Sequence, residues 1–213
     1  MNTAQAHTVD WPTDRGTVIL RSFCVPEEIE RLTYDLGDRD FARYRPLISG
    51  KQSLIQAARK EETNVTLALT GRGEIVGAGI LEFPGPNERW HRVGERMMME
   101  VSVIEIDRAW RGAGMSEAIL RLLMEHPHSE ERIIYMVGYS WTWDVEGQGL
   151  STMAYRDMLI RMFSRQGFRI FQTNEPNIML RPENVFMARI GASVSGDTRE
   201  RFKKVRFDMD RYA

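Results

Sequence analysis

At 213 residues the chain is long enough for one domain with a substantial core, whereas two full domains would each fall below the usual size. Its 29 basic residues are balanced by 30 acidic ones, which excludes the global positive field behind non-specific nucleic-acid binding. A single cysteine, Cys24, rules out an intramolecular disulfide framework, and no apolar run has signal-peptide or membrane-spanning character. With no internal repeat and no linker able to separate two cores, the expectation is one soluble, cytoplasmic domain over residues 1–213.

Taken in chain order, the first expected element is a strand at 17–23. Pro26, Glu27 and Glu28 then suit a helix start, because proline needs no hydrogen-bond acceptor there and acids favour the positive end. That helix is expected to run to Tyr34, with a second at 52–59. Residues 64–69 and 74–82 read as a hairpin joined by Thr70, Gly71, Arg72 and Gly73. Residues 98–106 read as a strand, followed by a helix at 114–125 whose Met115, Ala118, Ile119, Leu122 and Leu123 form one apolar stripe. The unbroken apolar run 133–139 suits a central strand. A helix at 151–166 carries Tyr155, Met158, Leu159, Met162 and Phe163 as its stripe, and Gly167 stops it. Further strands are expected at 168–173 and 205–212. Antiparallel strands first and strand-helix units afterwards give a mixed α/β sheet.

The stretch VSVIEIDRAWRGAGMSEAIL, residues 101–120, carries the most chemistry. A strand ends, Arg111, Gly112, Ala113 and Gly114 make a tight turn, and the amphipathic helix begins. Glycines let backbone amides approach phosphate oxygens, and the unpaired amides and dipole of a helix N-terminus favour negative charge. The turn lacks the Lys and Ser/Thr of a P-loop and the glycine spacing of a dinucleotide fingerprint.

This segment resembles the pyrophosphate-binding motif of the GNAT acyltransferases, Arg/Gln-x-x-Gly-x-Gly/Ala. Arg111, Gly114 and Ser116 fall on its three fixed positions, and Ser116 departs from the last. The resemblance implies a GNAT fold, three-layered with helices on both faces of the sheet. It also implies that amides of Gly112, Ala113, Gly114, Met115 and Ser116 hold the pyrophosphate of acetyl-CoA, while backbone near Ile104 and Ile106 pairs with the pantetheine arm. A wider resemblance rests on NERW at 87–90, WTWD at 141–144, TNEP at 173–176 and PENVFMARIG at 182–191. These strings look like the acetoin-utilisation (AcuA) family, which implies a protein-lysine acetyltransferase that modifies acetyl-CoA synthetase and switches it off.

Acetyl transfer to a lysine needs a neutral amine, so a base or a water path must accept a proton. Glu100 and Glu105 lie on the strand before the turn, five residues apart and therefore on opposite faces. Glu105 follows Val101 and Val103, a face expected to pack on a helix, and Glu100 shares its face with Ser102 and Ile104. The GNAT pattern brings Glu100 to the position of the general base, with Glu105 in reserve. The family's usual thiolate-protonating tyrosine falls on Phe163; residues 184–191 are an alternative helix for that role but also lack a tyrosine, leaving solvent, the ammonium or Tyr139. Trp141, Trp143 and Asp144 follow a central strand and are candidates to hold a lysine stem and its ammonium. His126 and His128 lack further ligands, so they read as ordinary surface and no metal is expected. Acetylation of a small amine, and a non-catalytic acyl-CoA-sensing module that inhibits a partner, are the rival readings.

Overall fold

Short polar turns between apolar runs give the fold an antiparallel beginning. The computed structural model describes residues 5–34 and 47–209, which fall into two units: residues up to Glu82 with Val101–His126, and Phe83–Glu100 with residues from Pro127 onward.

In the first unit β1 (Thr8–Thr13) pairs antiparallel with β2 (Gly16–Arg21), Trp11 lying opposite Val18. Sequence reading expects its first strand only at 17–23 and does not include β1, which holds Pro12. At the edge of a sheet, however, the missing proline N–H leaves no ladder bond unmade. α1 (Pro26–Arg31) begins at the expected proline, with both acids in its first turn, and α2 (Lys51–Ala58) follows. The expected hairpin forms between β3 (Asn64–Leu69) and β4 (Ile75–Glu82), closed by the Thr70 amide on the Glu74 carbonyl at 2.9 Å.

The strand order in this unit is β1-β2-β3-β4-β5, where β5 (Met98–Ile106) contributes Val101–Ile106 here and Met98–Glu100 to the second unit. One face of the sheet packs Val65, Leu67, Ala78, Ile80 and Val103 against Ile29 of α1 and Leu54 and Ile55 of α2. α3 (Met115–Met124) covers β3 and β4 and buries the full expected stripe, Met115, Ala118, Ile119, Leu122 and Leu123. Each such Leu or Ile contributes about 1.5–3 kcal/mol. The helix lies so close to β4 that a Cβ on Gly79 would stand 2.4 Å from Ile119. Buried Asn64 ties the sheet to this helix. Its Oδ1 accepts from the Phe23 amide, and its Nδ2 donates to the Leu122 carbonyl, one of the last four that a helix leaves unpaired.

In the second unit β6 (Ile133–Gly138) runs parallel to β5, Met98 facing Ile133 and Glu100 facing Tyr135. α4 (Val145–Gln148), α5 (Thr152–Ser164), β7 (Arg169–Ile170), α6 (Pro176–Met179), β8 (Val185–Ile190) and α7 (Gly196–Val205) follow, with strand order β5-β6-β8-β7. Two expectations change here. Residues 184–191 contain a strand rather than a helix, because VFMARI pairs antiparallel with β6 over its whole length and is buried there. The strand expected at 205–212 is instead the end of α7 and a turn, as far as the described residues extend. The period-two look of its sequence is overridden by Thr198, Phe202 and Val205, which bury one helical face behind a Ser195 N-cap.

Candidate active site

The sequence-derived turn is built at the end of β5. Asp107 caps a short 3-10 turn, Arg108–Trp110, by accepting from the Ala109 amide at 2.8 Å. Arg111 folds back, its Nε donating to the Ile106 carbonyl at 3.0 Å. Gly112 (φ +92°) and Gly114 (φ +74°) both occupy left-handed backbone, which other residues adopt only at a cost. Gly114 is the N-cap of α3 and supplies no side-chain cap, and a Cβ at Gly112 would meet nothing within 4 Å. The first-turn amides of Met115, Ser116 and Glu117 precede the first ladder bond, made by the Ala118 amide to the Gly114 carbonyl. First-turn amides ahead of the ladder, at the positive end of a ten-residue helix, fit a pyrophosphate. Met115 itself is buried, so its side chain anchors the helix while its amide faces the turn.

The two glutamates of β5 have different surroundings. Glu105 is buried, and its Oε2 accepts from the Ile48 amide at 3.2 Å, in a cleft also lined by Tyr34, Ile75, Gly77 and Asp107. Glu100 is half-buried in the second unit, where the Tyr135 hydroxyl donates to its Oε2 at 3.3 Å. Burial, with Glu100 and Glu88 nearby, raises the Tyr135 pKa well above the ordinary phenol value, so this hydroxyl remains a donor. Glu105→Ala is expected to lower stability by about 1–3 kcal/mol, since the Ile48 amide loses its acceptor, and to spare kcat. Urea unfolding and steady-state rates check this, and a collapse of kcat at unchanged stability would move the base to Glu105.

Holding a lysine stem between Trp141 and Trp143 takes strand alternation that puts both indoles on one face, and this alternation does not extend from β6 into WTWD. Ser140–Thr142 is a 3-10 turn. Trp143, 8% exposed, stacks on Tyr155 at 5.2 Å, whereas Trp141, 51% exposed, stacks on Tyr139 at 4.6 Å under the Arg181 guanidinium. The two indoles thus belong to different stacks. Asp144 is 2% exposed and caps α4, its Oδ1 accepting from the Gly147 amide at 3.0 Å. Tyr139 is half-buried, and burial together with Glu175, Glu100 and Glu88 pushes its pKa up to about 12.

The four family-like strings meet in this unit. Arg89 of NERW donates to Asn174 of TNEP at 2.6 Å and to Asp208 at 2.7 Å, while Trp90 stacks on Phe186 of PENVF at 4.3 Å. Asn184, beside that strand, accepts from the Ser140 amide at 2.8 Å, next to WTWD, and donates to the Asn177 carbonyl at 2.6 Å. Their shared role is to fix the segment after β6 and the surroundings of Tyr139.

His126 is a correction: it is buried, its Nε2–H donating to the Glu62 carbonyl at 3.0 Å beside the Phe23 ring. The loop-like HPH string hides this because His126 follows the last turn of α3. Among the described residues no group of three His, Cys, Asp or Glu side chains could hold a metal ion, and no helix is long and apolar enough to cross a membrane. Cys24 is buried, and burial with Glu28 nearby lifts its thiol to about 12, far from a nucleophilic thiolate. Sequence reasoning missed Trp11, whose indole reaches the turn from β1. Only recognition of β1 as a strand could have pointed to it.

A mixed sheet with α1 and α2 on one face and α3 on the other, and with a glycine turn opening α3 after β5, is the fold of the GNAT acyl-CoA N-acyltransferases. No family model matches the chain. It is 32% identical over 201 residues to the acetoin utilization protein AcuA of Bacillus licheniformis and 29% identical over 201 residues to that of Bacillus subtilis, covering 94% of this chain and of each relative. The crystal structure of an acetoin utilization protein from Exiguobacterium sibiricum matches with a TM-score of 0.87 and 27% identity over 98% of both chains. The chain belongs to the AcuA family of acetoin utilization proteins.

Proposed function

We propose that the chain is an acetyl-CoA-dependent N-acetyltransferase that modifies a lysine of a protein, and that acetyl-CoA synthetase, inactivated by the modification, is that protein. The observation that carries the reading is the uncapped α3 N-terminus behind two left-handed glycines, a cradle of backbone donors suited to a pyrophosphate. Acetyl-CoA supplies the acetyl group as a thioester. The amides of Gly112, Ala113, Gly114, Met115 and Ser116 bind it, with β5 backbone near Ile104 and Ile106 along the pantetheine.

Glu100 takes the ammonium proton, held in place by the Tyr135 hydroxyl. Trp141, the exposed indole after β6, and the neighbouring Trp143 and Asp144 segment belong to the lysine side. Tyr139, neutral until about pH 12, is a hydrogen-bond donor. As a proton source it is poor, because an ordinary thiol has a pKa of about 8.5 and the transfer would run uphill. The departing thiolate therefore draws its proton from solvent or from the nitrogen of the attacking amine, which must shed a second proton to become the amide. Cys24 takes no part, and transfer is direct.

The test is to incubate the pure protein and acetyl-CoA with acetyl-CoA synthetase or with free polyamines and amino sugars, following partner mass, partner activity and complex formation. A gain of one acetyl group on a synthetase lysine with loss of its activity is expected. Turnover of small amines alone, or inhibition without a change of mass, would overturn the reading in favour of a small-amine enzyme or a binding module.

A further inference from the structure

We propose that Trp11 is a positioning residue of the turn that opens α3: through one hydrogen bond it holds the Ala113–Gly114 peptide so that its N–H faces an anion. The inference rests on the acetyl-CoA reading above and assigns it a part of the chain, the edge strand β1, that lies about a hundred residues away in sequence.

The geometry is local and complete within the first unit. Trp11 Nε1–H donates to the Ala113 carbonyl at 2.7 Å, and its Cζ2 lies 3.6 Å from where a Gly114 Cβ would stand. In a trans peptide the carbonyl and the following N–H point in opposite directions. A carbonyl fixed toward Trp11 therefore turns the Gly114 N–H away from β1, as a donor at the start of the helix. A flip of this peptide turns the ψ of Ala113 and the φ of Gly114, and glycine visits both signs of φ readily. A flip of the peptide is thus cheap unless something holds it. Flipped, it would present a carbonyl oxygen where the anion needs a donor, exchanging attraction for repulsion.

The strand that carries Trp11 is anchored at both ends of α3. His7 reaches Glu125, the C-cap residue of that helix, at 2.5 Å, and the His7 amide donates to Ser22 of the neighbouring segment at 3.0 Å. From His7 to Trp11 an extended chain covers about 13 Å. From Glu125 back to Gly114 a helix covers about 16 Å. These lengths agree to within the reach of an indole side chain, so Trp11 of β1 is delivered to the turn. Alternation also places Val9, Trp11 and Thr13 on the half-buried side of the strand. At the hairpin tip, Arg15 lies over the Trp110 ring at 6.0 Å, a second contact between the hairpin and the segment before the turn.

The experiment compares the unaltered protein with Trp11→Phe, which keeps an aromatic ring and removes the donor. Calorimetric titration with CoA and with pantetheine, which lacks the pyrophosphate, separates anchoring of the phosphates from general damage. The expected result is a Kd for CoA raised about tenfold, the scale of one hydrogen bond, with the pantetheine Kd and Tm unchanged. An equal loss for both ligands, or an unchanged Kd for CoA, would overturn the assignment. Failure of the unaltered protein to bind CoA would overturn the acetyl-CoA reading as well, so the two failures are distinguishable. Should the variant not fold, the indole N–H of Trp11 in the 15N-labelled unaltered protein decides. Slow exchange and a resonance that moves on addition of CoA support the brace, and rapid exchange like that of an exposed indole contradicts it.

Discussion

Glu100→Gln is expected to lower kcat for lysine acetylation by about two to four orders of magnitude, the usual worth of a general base, without changing the Kd for acetyl-CoA. Glutamine matches the shape of the acid and still accepts from the Tyr135 hydroxyl that lies 3.3 Å from Oε2, so the strand and its neighbours stay in place. What disappears is the capacity to take a proton. Because Tyr135 is itself buried and kept neutral, it does not replace the lost base. Single-turnover acetylation, paired with calorimetry of acetyl-CoA and a melting curve, separates the outcomes. A wild-type-like single turnover with intact cofactor binding would remove Glu100 from the mechanism.

Gly114→Val is expected to raise the Kd for acetyl-CoA by about five- to thirtyfold, from about 1–2 kcal/mol of strain in left-handed backbone. Space is not the obstacle, since the nearest atom to a Cβ there is 3.6 Å away. The φ of +74° is the obstacle, and a branched side chain relaxes it by rotating the adjacent amide away from the anion. At saturating acetyl-CoA the rate is expected to recover, because Glu100 is untouched. Measuring kcat and KM separately tests this, and a fall in kcat with unchanged KM would detach the turn from cofactor binding.

How much of this was legible in the sequence depends on how local the determining physics is. The α3 stripe, the β3–β4 hairpin and the bounds of β5 follow from periodicity and turn residues within a few positions, and the structure places them as read. The glycine turn was legible for the same reason, since its positive φ values and uncapped helix belong to adjacent residues. Partners distant in sequence were not. Nothing near Glu105 announces that Ile48 will donate to it, and nothing near Ala113 announces Trp11. The segment after Val205 misled because alternation over five residues competes with a helical face anchored by Phe202 and Thr198 upstream. WTWD misled because a 3-10 turn interrupts the strand period and sends Trp141 and Trp143 into separate stacks. The strings that pointed to the family mark contacts made within the second unit, Arg89 to Asn174 and Trp90 to Phe186 among them. Their spacing in sequence could not show this.

The central claim is direct transfer of acetyl to a protein lysine, and one quenched-flow measurement addresses it. The chain, acetyl-CoA and acetyl-CoA synthetase are mixed, and CoA thiol release and the masses of both proteins are followed through the first turnover. The account predicts that thiol appears only when the synthetase is present, in step with one acetyl group on a synthetase lysine, while the mass of the chain itself never changes. Thiol release without acetylation of the synthetase, or an acetyl group carried on the chain, would contradict it.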